Sequence, residues 1–382
     1  MEARNGLPAV DAATLAPLVR ALLGGDATLD GPWSGLPLQG GYGGQGLYRF
    51  DGDARVGNKT EPWSVVLKIA PPPQPHANPL EWDAPQREAL AYNSGFLAQL
   101  SGPLVAPRCL GLITRSDGST WLWLEEIVDE RPGSWNLDRF VLAAQHLGRF
   151  NGAWLVGDAL PDHPWLSRDW LRRYIAAEGV AAATLDIAPD AAPLLRQRFP
   201  PQNAARIRQL WDDRELFLAA LDRLPQTICH HDAFRRNLFA RRGSDGTEQT
   251  VAVDWAFTGI GAVGAELAPL IVGSLLLFEV ADATPQDLAE AALAGYLTGL
   301  REAGWRGKEQ LARLGFLATA ALLYTVGTVG FIVSLISDPA RSLAMERSEG
   351  RSMAEDVARS TELQAFQFRL ADEARHLLTA TG

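Results

Sequence analysis

Residues 229–237 read CHHDAFRRN, and residues 253–255 read VDW. The two stretches contain three polar residues of chemical interest. These are Asp232, Asn237 five positions later, and Asp254 at the end of a run rich in β-forming residues. The short segment that separates them predicts how they come together.

That segment predicts a β-hairpin. Residues 237–241 (NLFAR) indicate one strand and residues 249–253 (QTVAV) the return strand. The Asp-Gly dipeptide at 245–246 is the centre of the turn, because it accepts positive φ. Pairing outward from this centre places Asn237 opposite Asp254. A bulge would shift the register by one residue, but both side chains would remain at the same open end.

Asp232 lies on the loop just before the first strand, so we expect it near the other two residues. Two adjacent oxygen ligands, from Asn237 and Asp254, suit a hard cation such as Mg²⁺. A further carboxylate beside them suits a base that orients a hydroxyl. This is the set of groups that phosphoryl transfer from ATP requires.

The pattern His230-x-Asp232-x4-Asn237, followed by Val-Asp254-Trp, resembles the catalytic and metal loops of the aminoglycoside phosphotransferase / choline kinase superfamily. The resemblance implies a small-molecule kinase with a protein-kinase-like fold and with Mg²⁺ and ATP or GTP as cofactor and co-substrate. It covers residues 36–280 through ordered motifs. One departure is His231, where the family usually has glycine. Its side chain crowds the loop, so the fold must accommodate it or the side chain must have a role of its own.

Composition narrows the class of protein. The chain has 382 residues and a net charge of −10, so two lobes are expected and nucleic acid is an unsuitable partner. A mild acidic surplus is compatible with a cationic substrate, although it is more commonly a solubility feature. Two cysteines are too few for a disulfide framework or a cysteine-based zinc site. The first residues, MEARNG, contain an acid and no apolar core, so a cytoplasmic protein is predicted.

One stretch, Leu314–Ser337, has no charged residue and is long enough to span a bilayer. It has no flanking cluster of Lys or Arg and no Trp belt, and it includes several Thr, Gly and Ser residues. Two alternatives remain at this point: a membrane span, or core helices of a large helical lobe, either one helix or two joined near Gly327. We favour the core helices and predict no membrane association.

The coarse pattern predicts an α+β protein with two lobes. Residues 36–127 are mainly β, with about five strands and one helix at 84–100, and the helical pattern takes over after 128–133. We therefore predict a nucleotide-binding lobe at 1–127, built on a small antiparallel sheet. A larger, mainly helical catalytic and substrate-binding lobe is predicted at 128–382.

A glycine-rich loop precedes the second predicted strand and contains Gly41, Gly43, Gly44 and Gly46. The pattern GxGxxG also matches a dinucleotide-binding turn, but that turn opens into a helix, whereas this one runs into Leu-Tyr-Arg-Phe. A flap over nucleotide phosphates fits better. The alternative is a glycine-rich hairpin without a ligand.

Lys68 is one of only three lysines, and it lies within the apolar strand Val65-Val-Leu-Lys-Ile69. A lysine is costly to bury without a partner, and Glu88 on the following helix is the natural one. The resemblance implies that this pair holds the α- and β-phosphates of ATP. The alternative is an edge-strand lysine that points to water.

The remaining family motifs concern the nucleotide base and the loops. Glu125 and Ile127 resemble the hinge whose backbone binds the base. The resemblance implies that His230 braces the catalytic loop and that Glu266 caps a helix or braces the loop. Arg235 and Arg236 either meet substrate or phosphate, or brace the loop.

For the acceptor, the first hypothesis is a cationic hydroxyl compound, such as an amino sugar, an aminoglycoside or a choline-like amine. Candidate acids for its binding are Asp129, Glu130 and Glu279. A neutral sugar or another natural product is the main alternative. A third interpretation is a catalytically silent nucleotide-binding protein. The presence of all the expected polar site residues argues against it, and these are Lys68, Asp232, Asn237 and Asp254. The oligomeric state is left open.

Overall fold

The computed structural model describes residues 7–38, 46–74, 78, 80–100, 102–157, 159–243 and 245–380. Its contacts divide the chain into two compact units. The first comprises residues 1–101, 105–129 and 251–256, and the second comprises 102–104, 130–250 and 257–382. Residues 251–256, which carry Asp254, thus cluster with the first unit although they lie beyond the β-rich part of the sequence.

The first unit is built on a five-stranded sheet with the order β1-β2-β3-β6-β5, in which all neighbours are antiparallel. With strands numbered in chain order, these are β1 (Thr28–Pro37), β2 (Gly46–Val56), β3 (Lys59–Ala70), β5 (Cys109–Thr114) and β6 (Thr120–Glu125). Strand β4 (Leu104–Val105) belongs to another sheet.

The core of this unit lies between the sheet and helix α1 (Ala12–Leu23). Alternate residues of β3, including Val65 and Leu67, are fully buried against that helix because side chains of a strand alternate between its two faces. Lys68 therefore projects from the opposite face. Strand β3 is central, and Lys68 is paired with Leu47 on one side and Leu122 on the other, so the edge-strand alternative is wrong.

Helix α2 (Arg87–Asn93) is shorter than the predicted helix at 84–100. Gly95, with φ of 75°, takes the left-handed conformation just after its end, and a separate 3₁₀ turn follows at Leu97–Gln99. A glycine in this conformation ends a helix readily. Glu88 remains in the first turn, as predicted.

The second unit is mainly helical. Its helices are α3 (Leu137–Val156), α4 (Trp170–Glu178), α5 (Val180–Ala183), α6 (Pro193–Arg198), α7 (Pro201–Asp212), α8 (Arg214–Arg223), α9 (Ser274–Leu276), α10 (Pro285–Glu302), α11 (Glu309–Ala320), α12 (Val329–Ser337), α13 (Pro339–Glu349) and α14 (Met353–Ala380). Two π-helical segments, Pro269–Gly273 and Ala321–Val326, interrupt this pattern.

Helices α3 and α10 support the strand that leads into the catalytic loop. The Asn151 side chain on α3 donates to the carbonyl oxygen of Ile228 at 2.7 Å and accepts from the Tyr296 hydroxyl on α10 at 2.6 Å. Ile228 lies in β7 (Gln226–Cys229), which pairs antiparallel with β10 (Gly259–Ala262). The buried amide of Asn151 thus fixes this short strand within the helical unit.

The predicted hairpin forms, with each strand displaced by one residue from the predicted bounds. Strands β8 (Leu238–Arg242) and β9 (Glu248–Ala252) are neighbours in a sheet of order β4-β9-β8. In the turn, Asp245 Oδ1 accepts from the Thr247 amide at 3.0 Å. Asn237 precedes β8 because it ends a 3₁₀ turn at Arg235–Asn237.

The apolar stretch Leu314–Ser337 lies in α11, the second π-helical segment and α12, and a turn at residues 327–328 precedes α12. Within the described residues, the run Glu309–Ser337 is the one helical region with the length and hydropathy of a membrane span, and 67% of its most apolar window is buried inside the protein. Core helices can have the same length and hydropathy as a membrane span, and such burial is typical of them.

Candidate active site

The catalytic loop begins where β7 ends, at Cys229. His230 is fully buried, and its backbone amide donates to the carboxylate of Glu266, which is also fully buried. The ring nitrogen Nδ1 of His230 accepts from the backbone amide of Asp232 at 3.2 Å. His230 and Glu266 therefore brace the loop that presents Asp232, which is the part that the resemblance implies for them.

Glu266 also carries a marked shift in pKa. Burial raises the pKa of this carboxyl from 4.5 to about 7, and the hydrogen bonds from the backbone amides of His230 and His231 oppose the rise. A group that titrates near neutrality thus lies directly behind the catalytic loop.

Asp232 and Asn237 are in direct contact. Asn237 Nδ2 donates to Asp232 Oδ2 at 2.9 Å and to the Asp232 carbonyl oxygen at 3.0 Å. Both of these atoms are acceptors, so the amide nitrogen must face them and the amide oxygen must face away. The arrangement therefore leaves Asn237 Oδ1 as the atom that can bind a cation.

His231 takes the position of the usual glycine with a left-handed backbone, φ 65°. Its ring stacks on Trp170 of α4, with centroids 4.9 Å apart and planes inclined by 14°. Gly261 makes room for the ring, because a Cβ there would lie 2.6 Å from His231 Cε1. A cavity of about 40 Å³ lies beside the ring and is also lined by Thr319. The crowding expected at this position is therefore accommodated by stacking.

Arg235 and Arg236 both brace the second unit. Arg235 is buried and donates to three carbonyl oxygens, those of Arg131 at 2.9 Å, Gly133 at 3.0 Å and Leu238 at 3.0 Å.

Arg236 binds two carboxylates from distant parts of the chain. It contacts Glu279 through Nε at 2.7 Å and Glu349, at the end of α13, through two nitrogens at 2.8 Å each. These two acids raise the pKa of Arg236 above its ordinary value. Glu279, one of the acids proposed for a cationic acceptor, is therefore already engaged by a cation of the protein.

In the first unit, Lys68 and Glu88 form the ion pair that the sequence predicts. Lys68 Nζ lies 2.6 Å from Glu88 Oε2, and Asp254 Oδ1 lies 3.4 Å from the same nitrogen. Glu88 Oε1 also accepts from the backbone amide of Trp255 at 3.3 Å. Glu88 thus joins β3 and α2 to the short segment that carries Asp254.

The charges in this cluster depend on one another. Burial alone would lower the pKa of Lys68, but the negative charges of Glu88 and Asp254 outweigh it and raise the pKa. Burial raises the pKa of Glu88, although the Lys68 ammonium opposes that rise. Lys68 is therefore held as a cation, which is the form that attracts phosphate.

Asp254 has the features of a cation ligand. Its backbone is left-handed, with φ 64°, and its carboxylate remains 39% exposed beside the nearly buried Lys68 and Glu88. No cluster of three or more His, Cys, Asp or Glu side chains that could hold a metal occurs in the described part of the chain. Carboxylate and amide oxygens in small number suit Mg²⁺, which takes its other ligands from water and nucleotide phosphates.

The positions predicted for the nucleotide base and phosphates are less fully described. Glu125 ends β6, where its amide donates to the Arg108 carbonyl at 3.0 Å and its carboxylate pairs with the Arg108 guanidinium at 2.9 Å. Ile127 follows two residues later and is partly buried. Gly46 is the first residue of β2, whereas Gly41, Gly43 and Gly44 lie outside the described residues.

Sequence reasoning missed the aromatic residues around Asp232. The Tyr324 hydroxyl and Phe234, two residues after Asp232, both approach Gly273, and Trp170 stacks on His231, next to Asp232. After burial, the negative charge of Asp232 contributes to raising the pKa of both Tyr174 and Tyr324. Tyr174 stacks on Trp170, with centroids 5.3 Å apart. The available signal was that one of only six tyrosines interrupts the uncharged run Leu314–Ser337.

The chain is similar to proteins of one known family. The family model described as "Phosphotransferase enzyme family" matches residues 48–311, which is more than half of the chain. No curated protein matches the sequence.

Solved structures include similar chains. A spectinomycin phosphotransferase, in complex with ADP and spectinomycin, has a TM-score of 0.50 at 13% identity, over 92% of this chain and 99% of that one. An amicoumacin kinase in complex with AMP-PNP and Ca²⁺ has a TM-score of 0.48 at 12% identity, over 82% and 86% of the two chains. A Plasmodium vivax ethanolamine kinase has a TM-score of 0.48 at 11% identity, over 87% of this chain and 83% of that one. The first of these likenesses confirms the two-lobed, kinase-like α+β fold.

Proposed function

Because the chain belongs to the phosphotransferase enzyme family, we propose that it transfers the γ-phosphoryl group of ATP or GTP to a hydroxyl of a small molecule. The observation that carries this proposal is the contact between Asp232 and Asn237, in which the amide nitrogen is committed to Asp232 and the amide oxygen is left for a cation. A base and a metal ligand fixed to each other in this way are parts of a phosphoryl-transfer site.

Asp232 is the proposed base. It receives a hydrogen bond from Asn237 and is presented by a loop that His230 and Glu266 brace. A carboxylate so held can orient the acceptor hydroxyl toward the γ-phosphorus and take its proton as the new oxygen–phosphorus bond forms.

Lys68 is the proposed phosphate contact. Its short pair with Glu88 fixes the ammonium, and the raised pKa of Lys68 keeps it charged. The loop with Gly41, Gly43, Gly44 and Gly46 would cover the phosphates, and the hinge residues Glu125 and Ile127 would meet the base. Since the Glu125 amide donates to Arg108, the amide of Ile127 is the better candidate for a base contact.

Asn237 and Asp254 are the proposed Mg²⁺ ligands, each assigned on its own chemistry. Asn237 offers Oδ1, and Asp254 offers a carboxylate that is partly exposed. Bound Mg²⁺ supplies neutralisation of the phosphate charge. Titration calorimetry with AMP-PNP tests both: Asp254→Ala and Asn237→Ala should each weaken binding with Mg²⁺ and change little without it. Equal affinity of variants and parent in Mg²⁺ would contradict the assignment.

Two classes of acceptor remain candidates: a cationic amine alcohol, such as an amino sugar, aminoglycoside or choline-like compound, and a neutral sugar or other natural product. Of the acids first considered for a cation, Glu279 pairs with Arg236, and Glu130 accepts from the Arg242 amide at 2.8 Å. The pairing of Glu279 with a cation of the protein counts against the amines. A silent nucleotide-binding protein is the remaining alternative, and a cytoplasmic location without nucleic acid or membrane partners is part of the proposal.

The decisive experiment is turnover of Mg·ATP and Mg·GTP with spectinomycin, hygromycin B, ethanolamine, choline and neutral sugars, for the parent and for Asp232→Asn. Acceptor-dependent release of ADP or GDP that is lost in the variant supports a small-molecule kinase. Nucleotide binding without transfer to any acceptor would favour the silent protein.

A further inference from the structure

Tyr324 lies in an unusual backbone. It belongs to the π-helical segment Ala321–Val326, and it meets Gly273, the last residue of the other π-helical segment, Pro269–Gly273. π-Helical turns are rare and are frequently found at functional sites. Here two of them come together at one tyrosine.

The phenol of Tyr324 reaches the catalytic loop. A Cβ at Gly273 would lie 2.7 Å from the Tyr324 hydroxyl oxygen and 3.2 Å from Cβ of Phe234, two residues after Asp232. The hydroxyl has no hydrogen-bond partner within the described part of the chain, and it is not among the side-chain atoms sealed from solvent there. A hydroxyl beside a catalytic loop, with its hydrogen-bonding capacity unused by those residues, is available to a ligand.

The phenol of Tyr324 is partly buried. This burial, followed by the negative charge of Asp232 and by Tyr174, raises the pKa of Tyr324 well above 10. The group therefore stays neutral at physiological pH and acts as a hydrogen-bond donor or acceptor. It has no role as a base.

Tyr174 is the second aromatic group near Asp232. Its ring packs over Gly327, just beyond the π-helical segment, where a Cβ would lie 2.6 Å from Tyr174 Cε1. Its pKa is raised to about 12, first by burial and then by Glu178 and Asp232. The surroundings of Asp232 in the second unit thus include two neutral phenols, while Glu279 is paired with Arg236.

We propose that Tyr324 contacts the acceptor, and that its hydroxyl hydrogen-bonds a polar group next to the hydroxyl that Asp232 receives. The acceptor class that fits is a neutral polyhydroxylated ring with vicinal oxygen atoms. The inference rests on the proposed function and narrows its substrate class.

The test uses neutral polyols (D-glucose, D-ribose and myo-inositol) and amines (spectinomycin, hygromycin B and ethanolamine) with Mg·ATP. The best neutral acceptor is then compared with its deoxy analogue that lacks the neighbouring hydroxyl. Tyr324→Phe should lower kcat/KM by about tenfold for the polyol and hardly at all for the deoxy analogue, because one hydrogen bond of ordinary strength is at stake. Tyr296→Phe is the matched control, since the Tyr296 hydroxyl makes structural bonds to Asn151 and Gly264.

A purely structural effect, as expected for Tyr296→Phe, lowers kcat/KM equally for the polyol and for its deoxy analogue. If Tyr324→Phe lowers kcat/KM equally for the polyol and its deoxy analogue, the inference is overturned. Transfer of phosphate to amines alone would also overturn it. Either result would leave the proposed function standing. Calorimetry on the AMP-PNP complex repeats the comparison without turnover. Polyol binding that depends on Tyr324 without transfer would support the contact and count against the proposed function. Polyols that neither react nor bind would refute the inference, and Gly273→Ala, which displaces the phenol, should reproduce the Tyr324→Phe result.

Discussion

The side-chain nitrogen of Asn237 lies 2.9 Å from Asp232 Oδ2, and the same nitrogen lies 3.0 Å from the carbonyl oxygen of Asp232. One amide thus fixes the carboxylate and the backbone of the proposed base together. Both contacts use the donor of Asn237, so its acceptor is left over for another partner.

Asp232→Asn should keep this contact, because an amide oxygen can still accept from Asn237, but it removes the proton acceptor. We expect kcat to fall by about 10²- to 10⁴-fold with little change in nucleotide affinity. Steady-state kinetics and calorimetry measure the two quantities. Asp282→Asn, at an exposed left-handed position, is the matched control and should leave both unchanged. Equal kcat in Asp232→Asn and the parent would exclude the base role.

Glu88→Gln should destabilise the protein and raise the KM for ATP. The variant removes the closest anion from Lys68, which is only 15% exposed, and breaking such a buried pair costs about 3 kcal/mol. Asp30→Asn, which breaks the exposed pair with Arg55 on the same sheet, should cost about 1 kcal/mol or less. Urea unfolding measures both changes.

The double variant Lys68→Met with Glu88→Leu separates structure from function. Replacing both charges by apolar groups should restore most of the lost stability without restoring activity. Recovery of activity together with stability would show that the pair serves the fold alone.

His231→Gly tests the stack on Trp170. Glycine relieves the cost of positive φ, about 1 kcal/mol, but it removes the ring contact and enlarges the cavity of about 40 Å³ beside it. We expect a net loss of stability and a lower kcat. Asp282→Gly, at φ 51° on the surface, has no such ring contact and should be neutral or stabilising. A more stable His231→Gly protein would mean that the stack contributes less than the positive φ of His231 costs.

Arg236→Met should be destabilising because it leaves Glu279, exposed by 16%, without its cation and leaves Glu349, exposed by 5%, with Arg351 alone. Leaving one buried carboxylate unpaired costs about 3 kcal/mol. Arg172→Met is the matched control: Arg172 also bridges two acids, Glu215 and Asp222, but these are 62% and 65% exposed. A similar small loss in both variants would contradict the proposed bracing by Arg236.

Glu266→Gln should change how stability depends on pH. Burial raises the pKa of Glu266 to about 7, so the folded state binds the proton more tightly than the unfolded state. Its contribution to stability is fully present below about pH 4.5 and is lost as the pH rises through about 7. The difference in unfolding free energy, parent minus variant, should therefore fall by about 3 kcal/mol across this range.

The parent and the variant are compared because a second buried group, His146, also makes stability depend on pH. Burial lowers the pKa of His146 to about 4, so its contribution has the opposite sign and is lost as the pH falls below 6.5. The subtraction removes it, because His146 is the same in both proteins. A difference that is flat between pH 4.5 and 7 would refute the role of Glu266.

The sequence predicted those parts of the site that have a local signal. A lysine in an apolar strand required a partner, and Glu88 was within one helix of it. The Asp-Gly turn predicted the hairpin. The approach of Asp254 to Lys68 at 3.4 Å had no such signal, because it depends on how a distant segment packs against β3 and α2.

Other features of the site were also not predicted, because they depend on distant contacts or on details of the backbone. For Arg236, bracing and substrate contact were equally compatible with the sequence, since Glu349 lies more than a hundred positions away. The π-helical turn at Tyr324 could not be predicted from an apolar run, because residue types that favour an α-helix are the same ones that fill a π-helix. The helix α2 was predicted too long because the left-handed Gly95 was treated as an interior residue.

The π-helical segment Ala321–Val326 also sets the angular phase of the helix that comes after it. Each residue turns an α-helix by about 100°, and a wider turn absorbs one more residue than an α-turn does. Deleting a single residue from 321–323 would restore a regular turn, rotate Tyr324 away from Gly273 and turn α12 with it. The direction of this tyrosine is therefore encoded in the length of the segment, so a one-residue deletion would have an effect that no substitution at Tyr324 reproduces.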